Sequence, residues 1–264
     1  MKPNDNNFCK TGLVCALLAP LLMSSTYAAD HWLKVEGADC TVWSDEPLKS
    51  GESIRWNGDC KEGRISGQGV LEVTSSDQLK LRFKGTMSDG KANGEGVLES
   101  KSEQGIDHYA GGFANSLLQG HGLLVTADGS RYEGGFKADK IDGYGLYKGA
   151  DGSLYQGELK QGVPQGEGFE YTADGAKYHG GFHNGEYHGH GALLFADGGI
   201  YEGGFEDGKA NGNGIYMDIN GDIFKGSWIK GKAEGAFVVT RTDGSIEQQT
   251  WQNDQQVDKK GDKK

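Results

Sequence analysis

Residues 128–182 read DGSRYEGGFKADKIDGYGLYKGADGSLYQGELKQGVPQGEGFEYTADGAKYHGGF, a stretch with no aliphatic run long enough for a conventional core. Its order lies in spacing. Tyr132, Tyr155 and Tyr178 each precede a glycine by two residues and stand 23 apart. Extended outward, the series runs Trp56, Phe83, Tyr109, Tyr132, Tyr155, Tyr178, Tyr201 and Phe224, with first gaps of 27 and 26 and then five of 23. A fixed period of this size marks a repeat architecture, in which each unit buries its apolar face only against its neighbours.

Within a unit the pattern is aromatic-x-Gly-x-x-x-x-Gly-x-x-x-Gly-x-Gly, complete from Tyr178 to Gly191; Ser116 and Asp139 replace the middle glycine in two units, and Phe237 the last one in another. Units are joined by Asp128-Gly129, Asp151-Gly152, Asp174-Gly175, Asp197-Gly198, Asn220-Gly221 and Asp243-Gly244, dipeptides suited to tight hairpin turns. Tyr178, Gly180 and Phe182 share one face of a strand, as do Gly189, Gly191 and Leu193 on the next. A turn over residues 184–187 would set His183 opposite His188, Phe182 opposite Gly189 and Gly180 opposite Gly191. Rings then lie over bare backbone, which accounts for glycine where it otherwise weakens a strand. Eight such hairpins predict about sixteen strands in a twisted sheet roughly 75 Å long.

This layout resembles the MORN repeat (membrane occupation and recognition nexus), from about Trp56 to Gly244. The resemblance implies an all-β fold, an elongated, twisted, single-layer antiparallel β-meander with a groove lined by the repeat aromatics. It also implies binding of peptides or proteins, dimerisation and, in some members, contact with phospholipids. The residues expected to line a partner's groove are Tyr109, Tyr132, Tyr155, Tyr178, Tyr201, Phe113, Phe136, Phe182 and Phe205. A stabilising stack is the alternative role for the same rings.

The N-terminus carries Lys2 and Lys10, an apolar stretch from Gly12 to Met23 and small residues ending at Ala28, the pattern of a secretory signal peptide. The expected organisation is a signal peptide at 1–28, a cap segment at 29–55, the repeat domain at 56–251 and a disordered polar tail at 252–264. Val14 is too bulky to precede a lipidated cysteine at Cys15. Export, to a bacterial periplasm or beyond, places Cys40 and Cys60 in an oxidising compartment, where a disulfide is expected. Cys60 stands where Phe136 and Phe182 stand in later units, so the bond would tie the cap to the first hairpin. Trp228 and Trp251 fall in that same register, and the strand of Trp251 is expected to close the array.

The formal charge of −11 becomes −12 once Lys2, Lys10 and Asp5 leave with the signal, which argues against nucleic acid and against anionic lipid as partners. There is no GxSxG, no HExxH and no CxxC, and the recurring glycines precede no helix, so neither an enzyme nor a phosphate loop is expected. The Asp-Gly joints lack the extra carboxylates of a calcium loop. Four of seven histidines, His179, His183, His188 and His190, fall in one unit; they suit either the solvent face of a sheet or a zinc, copper or nickel site. No cofactor is assigned. The function expected is a non-enzymatic exported scaffold that binds an extended protein or peptide along the aromatic row. A membrane or envelope-surface binder and a glycan-binding module are the alternatives, and a homo-oligomer stays open.

Overall fold

The computed structural model describes residues 31–257; the signal segment expected at 1–28 and the chain beyond Val257 lie outside the described residues. Among the described residues there is no helix, and none therefore long and apolar enough to cross a membrane. The chain divides into two compact units, one ending at Ala150 and the other beginning at Asp151.

In the first unit, β1 (His31–Lys34) and β2 (Thr41–Ser44) form a hairpin ahead of the repeats. β3 (Glu52–Trp56) and β4 (Asp59–Lys61) both pair with β5 (Arg64–Ser75). An antiparallel meander follows through β6 (Gln78–Ser88), β7 (Lys91–Ser102), β8 (Gly105–Ala114), β9 (Leu117–Val125), β10 (Arg131–Lys137) and β11 (Lys140–Lys148). The second unit repeats the arrangement through β12 (Leu154–Lys160), β13 (Val163–Tyr171), β14 (Lys177–His183), β15 (Glu186–Leu194), β16 (Ile200–Glu206), β17 (Lys209–Met217), β18 (Ile223–Ile229), β19 (Lys232–Thr240), β20 (Ile246–Gln252) and β21 (Gln255–Val257).

The hairpin register differs from expectation in one respect. The turn is Asn184-Gly185 alone, with φ of +51° and +81°, the conformation of a type I′ turn that asparagine and glycine adopt at least cost. His183 therefore pairs with Glu186, not His188, and Phe182 with Tyr187, not Gly189. His188 to His190 of β15 then stand against Gly181 alone, a bulge on β15 with Gly189 at positive φ, which restores Gly180 opposite Gly191 as expected. Phe182 meets its glycine on the other side, at Gly166 of β13. The middle glycine of the motif is thus a turn residue, and Ser116 and Asp139 take its positive φ at +69° and +66°.

The Asp-Gly joints are not two-residue turns. At Thr126–Ser130 only Gly129 has positive φ, and the Thr126 and Gly129 amides donate to the Ser130 and Thr126 carbonyls. Asp128 folds back onto the Ser130 amide, the Ser130 hydroxyl and the Thr126 hydroxyl, which hold its carboxyl below the usual range. Within each unit, tight turns are also stitched to the hairpin before them. The amides of Ser116, Asp139, Gly208, Gly231 and Asp254 donate to the carbonyls of Ala92, Leu118, Tyr187, Ala210 and Ala233.

At the N-terminal end, Cys40 and Cys60 are joined as a disulfide with Cα atoms 5.9 Å apart. Cys60 lies opposite Ile65, and Trp56 opposite Leu71, the same offsets as Phe182 opposite Tyr187 and Tyr178 opposite Leu193. The cap runs across the turns: the Thr41 and Trp43 amides donate to Gly63 and Gly90, and Thr41 makes a parallel bridge to Arg64. The Glu36 amide donates to the Ile54 carbonyl of β3, occupying a site on an edge that would otherwise invite pairing. At the other end, Trp251 sits opposite Gly235 as expected from its register, but its strand is not the last. The segment expected to be disordered from 252 is ordered to Val257, where β21 pairs with β20.

Candidate interaction surfaces

The rings expected to face a partner form the core of each unit: Tyr109, Phe113, Tyr132 and Phe136 in the first, and Tyr155, Tyr178, Phe182, Tyr201 and Phe205 in the second. Their exposure runs from 0% at Tyr178 and Tyr201 to 6% at Phe113. Each ring covers the glycines of its own repeat: a Cβ on Gly191 would fall 2.4 Å from the Tyr178 oxygen, and one on Gly145 2.4 Å from that of Tyr132. Phe136, Phe182 and Phe205 each pack edge-on between two tyrosines, and Phe113 packs between Phe83 and Tyr109. Phe136 lies 5.1 and 5.3 Å from Tyr109 and Tyr132, and Phe205 lies 5.2 Å from both Tyr178 and Tyr201, in the edge-to-face geometry that the ring quadrupoles favour.

The tyrosine hydroxyls have a structural use that the spacing does not reveal. Tyr109, Tyr132, Tyr155, Tyr178 and Tyr201 donate to the carbonyl three residues on, at Gly112, Gly135, Glu158, Gly181 and Gly204, over 2.9 to 3.2 Å. The Trp56 indole repeats the bond to Asp59 at 3.0 Å. Burial pushes the Tyr109 and Tyr132 hydroxyls up to about 12 and raises those of Tyr178 and Tyr201 as well. The rings expected to form an open groove are therefore closed into the sheet by their neighbours.

The MORN repeat family matches at residues 83–103, 109–131, 132–154, 155–177, 178–200 and 201–223, more than half of the sequence. The chain belongs to the MORN-repeat family. The hairpins opening at Trp56 and Phe224 keep the register of the six matched MORN units, so the repeat pattern runs one hairpin further at either end. No curated protein matches the sequence. Among solved structures the chain is similar to the SAS-4 (dCPAP) TCP domain in complex with a proline-rich motif of Ana2 (dSTIL) of Drosophila melanogaster. That likeness has 10% identity and a TM-score of 0.34 over 78% of this chain and 95% of the other, too loose to carry an argument.

In the MORN unit holding four histidines, the structure brings two together. The rings of His183 and His188 lie 5.3 Å apart, and His190 turns to Glu202 at 3.8 Å. Among the described residues no three histidine, cysteine or carboxylate side chains converge as metal ligands.

A cleft of about 280 Å³ opens where the cap meets the first strands. Its lining includes Leu33, Val42, Ile54, Leu71, Val73 and Leu81 together with the charged Asp45, Glu46, Lys49 and Glu52; Lys49 Nζ lies 3.9 Å from Glu46, and the Lys49 amide donates to Glu52. Sequence reasoning missed it because the lining comes from the cap loop and from three strands that become neighbours only through the meander. The alternating valines and leucines of residues 70–81 were the one signal available.

Proposed function

We propose that this MORN protein is a non-enzymatic, exported docking scaffold that binds a protein segment carrying an apolar side chain next to a lysine or arginine. MORN repeats are protein- and membrane-interaction modules, and the chain carries them without a recognisable catalytic motif. The observation that carries the reading is the cleft beside the cap, with an apolar lining and three carboxylates, Asp45, Glu46 and Glu52, against the one cation Lys49. An apolar floor supplies affinity, and charges at the rim select the partner. The buried aromatic row serves as the rigid support for that surface.

Selection of a random peptide-display library on the immobilised protein tests this. The expected result is enrichment of sequences that place Leu, Ile or Met beside Lys or Arg. The D45K/E46K double variant should lose that enrichment, since both side chains are exposed and their replacement leaves the core intact. Equal enrichment on both proteins would remove the cleft from the account.

A further inference from the structure

Two histidines meet on the face of β14 and β15 that points away from the rings. Phe182 and Tyr187 are buried, so the residues beside them, His183 and His188, point outward and are exposed. Their rings stand 5.3 Å apart with 51° between the planes. That tilt is neither the offset stack nor the edge-on contact that aromatic pairs favour, so the two rings gain little from each other alone.

The position of His188 has a regular use in other hairpins. Asn93, Gln119, Asn211 and Glu234 occupy it there, and the side-chain oxygen of each accepts the first amide of the next tight turn, from Asn115, Ala138, Lys230 and Asn253. In those same hairpins the position of His183 is held by Ser88, Ala114, Glu206 and Ile229. The hairpin of β14 and β15 departs at both positions at once, and both departures are imidazoles. Carboxylates flank the pair: Glu186 is the cross-strand partner of His183, Glu167 that of Gly181, and Glu202 lies 3.8 Å from His190. Among the described residues none of them completes a third ligand, but their charge favours a cation.

We infer that His183 and His188 form a two-imidazole site for a divalent transition ion, Cu(II) before Ni(II) or Zn(II), with water in the remaining positions. An imidazole nitrogen bound at about 2.0 Å sets the ion about 3.2 Å from the ring centre, so two rings sharing it at about 90° to 110° have centres about 4.5 to 5.2 Å apart. The 5.3 Å between these rings needs only a small side-chain rotation, which exposed residues make freely. Imidazole suits copper, nickel and zinc, and copper heads the order of affinity; calcium and magnesium prefer oxygen ligands.

Calorimetric titration of the full chain with copper(II) sulfate, the thiols of Cys9 and Cys15 alkylated beforehand, tests the site. One ion should bind per chain, with electron paramagnetic resonance showing two coordinated nitrogens. H183N and H188N should each lower affinity about tenfold or more and leave a single nitrogen, whereas H179N and H190N should stay within about twofold of the parent. Circular dichroism should be unchanged throughout, because all four side chains are exposed. A parent protein that binds copper no more tightly than H183N overturns the inference. So does a loss shared equally by all four variants, which would mean that any surface imidazole serves.

Discussion

Gly189 and Gly191 sit two residues apart on β15 and are glycine for different reasons, which a pair of alanine substitutions separates. Gly189 has φ of +76° with nothing within 4 Å of where a Cβ would lie, so Gly189→Ala meets only backbone strain, about 1–2 kcal/mol. Gly191→Ala carries no positive φ, but its methyl would lie 2.4, 2.6 and 2.7 Å from the oxygen, Cε2 and Cζ of Tyr178. That ring cannot swing away freely. It is fully buried, stacked at 3.7 Å on Tyr187, and held by its bond to the Gly181 carbonyl at 2.9 Å. Overpacking of this kind costs up to about 3 kcal/mol, and displacing the hydroxyl from its acceptor adds about 1 kcal/mol. Gly191→Ala should thus be the worse by roughly 2 kcal/mol. Repeat arrays need not unfold in one step, so the measurement is hydrogen exchange of the β14 and β15 amides together with urea denaturation. Tyr178→Phe removes the nearest clashing atom and should recover about 1 kcal/mol of the Gly191→Ala loss in a double-mutant cycle. Equal or greater damage from Gly189→Ala would refute the account of glycine as a seat for the ring.

Because burial raises the Tyr109 and Tyr132 hydroxyls to about 12, the unfolded chain ionises first; stability should hold up to about pH 10 and fall from there towards 12, read by urea midpoints and tyrosinate absorbance. Glu170 is raised by burial and accepts the Tyr187 hydroxyl at 2.6 Å. Tyr187→Phe should cost about 1–3 kcal/mol at pH 7, where the carboxylate is left without that donor, and less near pH 4, where it is protonated. Reducing the Cys40–Cys60 bond, a separation of 20 residues, should lower stability by about 3 kcal/mol on the chain-entropy account, with the loss of protection concentrated in β1 to β5. Trp228 stands where Phe182 and Phe205 stand, and its buried indole nitrogen has no hydrogen-bond partner among the described residues. Trp228→Phe should therefore change the melting midpoint little, since ridding the core of an unmet donor offsets roughly 1–3 kcal/mol of lost packing.

The 23-residue period told of the fold at once, because the same spacing must return the chain to the same place on a sheet. The glycines under each ring were legible for the same reason: Tyr178, Gly180 and Gly191 occupy positions whose parity sets them on one face. What escaped was local. Asn184-Gly185 and Asp174-Gly175 look alike in sequence, yet only the first is a two-residue turn, its register taken up by the bulge at His188 to His190 on the strand that follows. The tyrosine hydroxyl bond to the carbonyl three residues on was equally hidden, since nothing in a motif of ring and glycine says where the phenol ends. The rings were read either as a stabilising stack or as the lining of a groove, and they are buried because phenylalanines such as Phe136 and Phe205 also pack against the tyrosine of the preceding repeat.

The bond from a tight turn to the hairpin before it has a consequence for how such a chain can change over generations. Where that bond is made, each repeat presents the same acceptor behind it and the same donor ahead, so the junction is indifferent to which two repeats it joins. A segment of 23 residues can be duplicated or lost within either unit and the new neighbours will still find donor facing acceptor and ring over glycine. An insertion of any other length inside a strand breaks both. Length can therefore vary in whole steps at little cost while sequence within a step is held fast, and the two ends, where the cap and β21 occupy the last pairing positions, are the places such growth must leave alone.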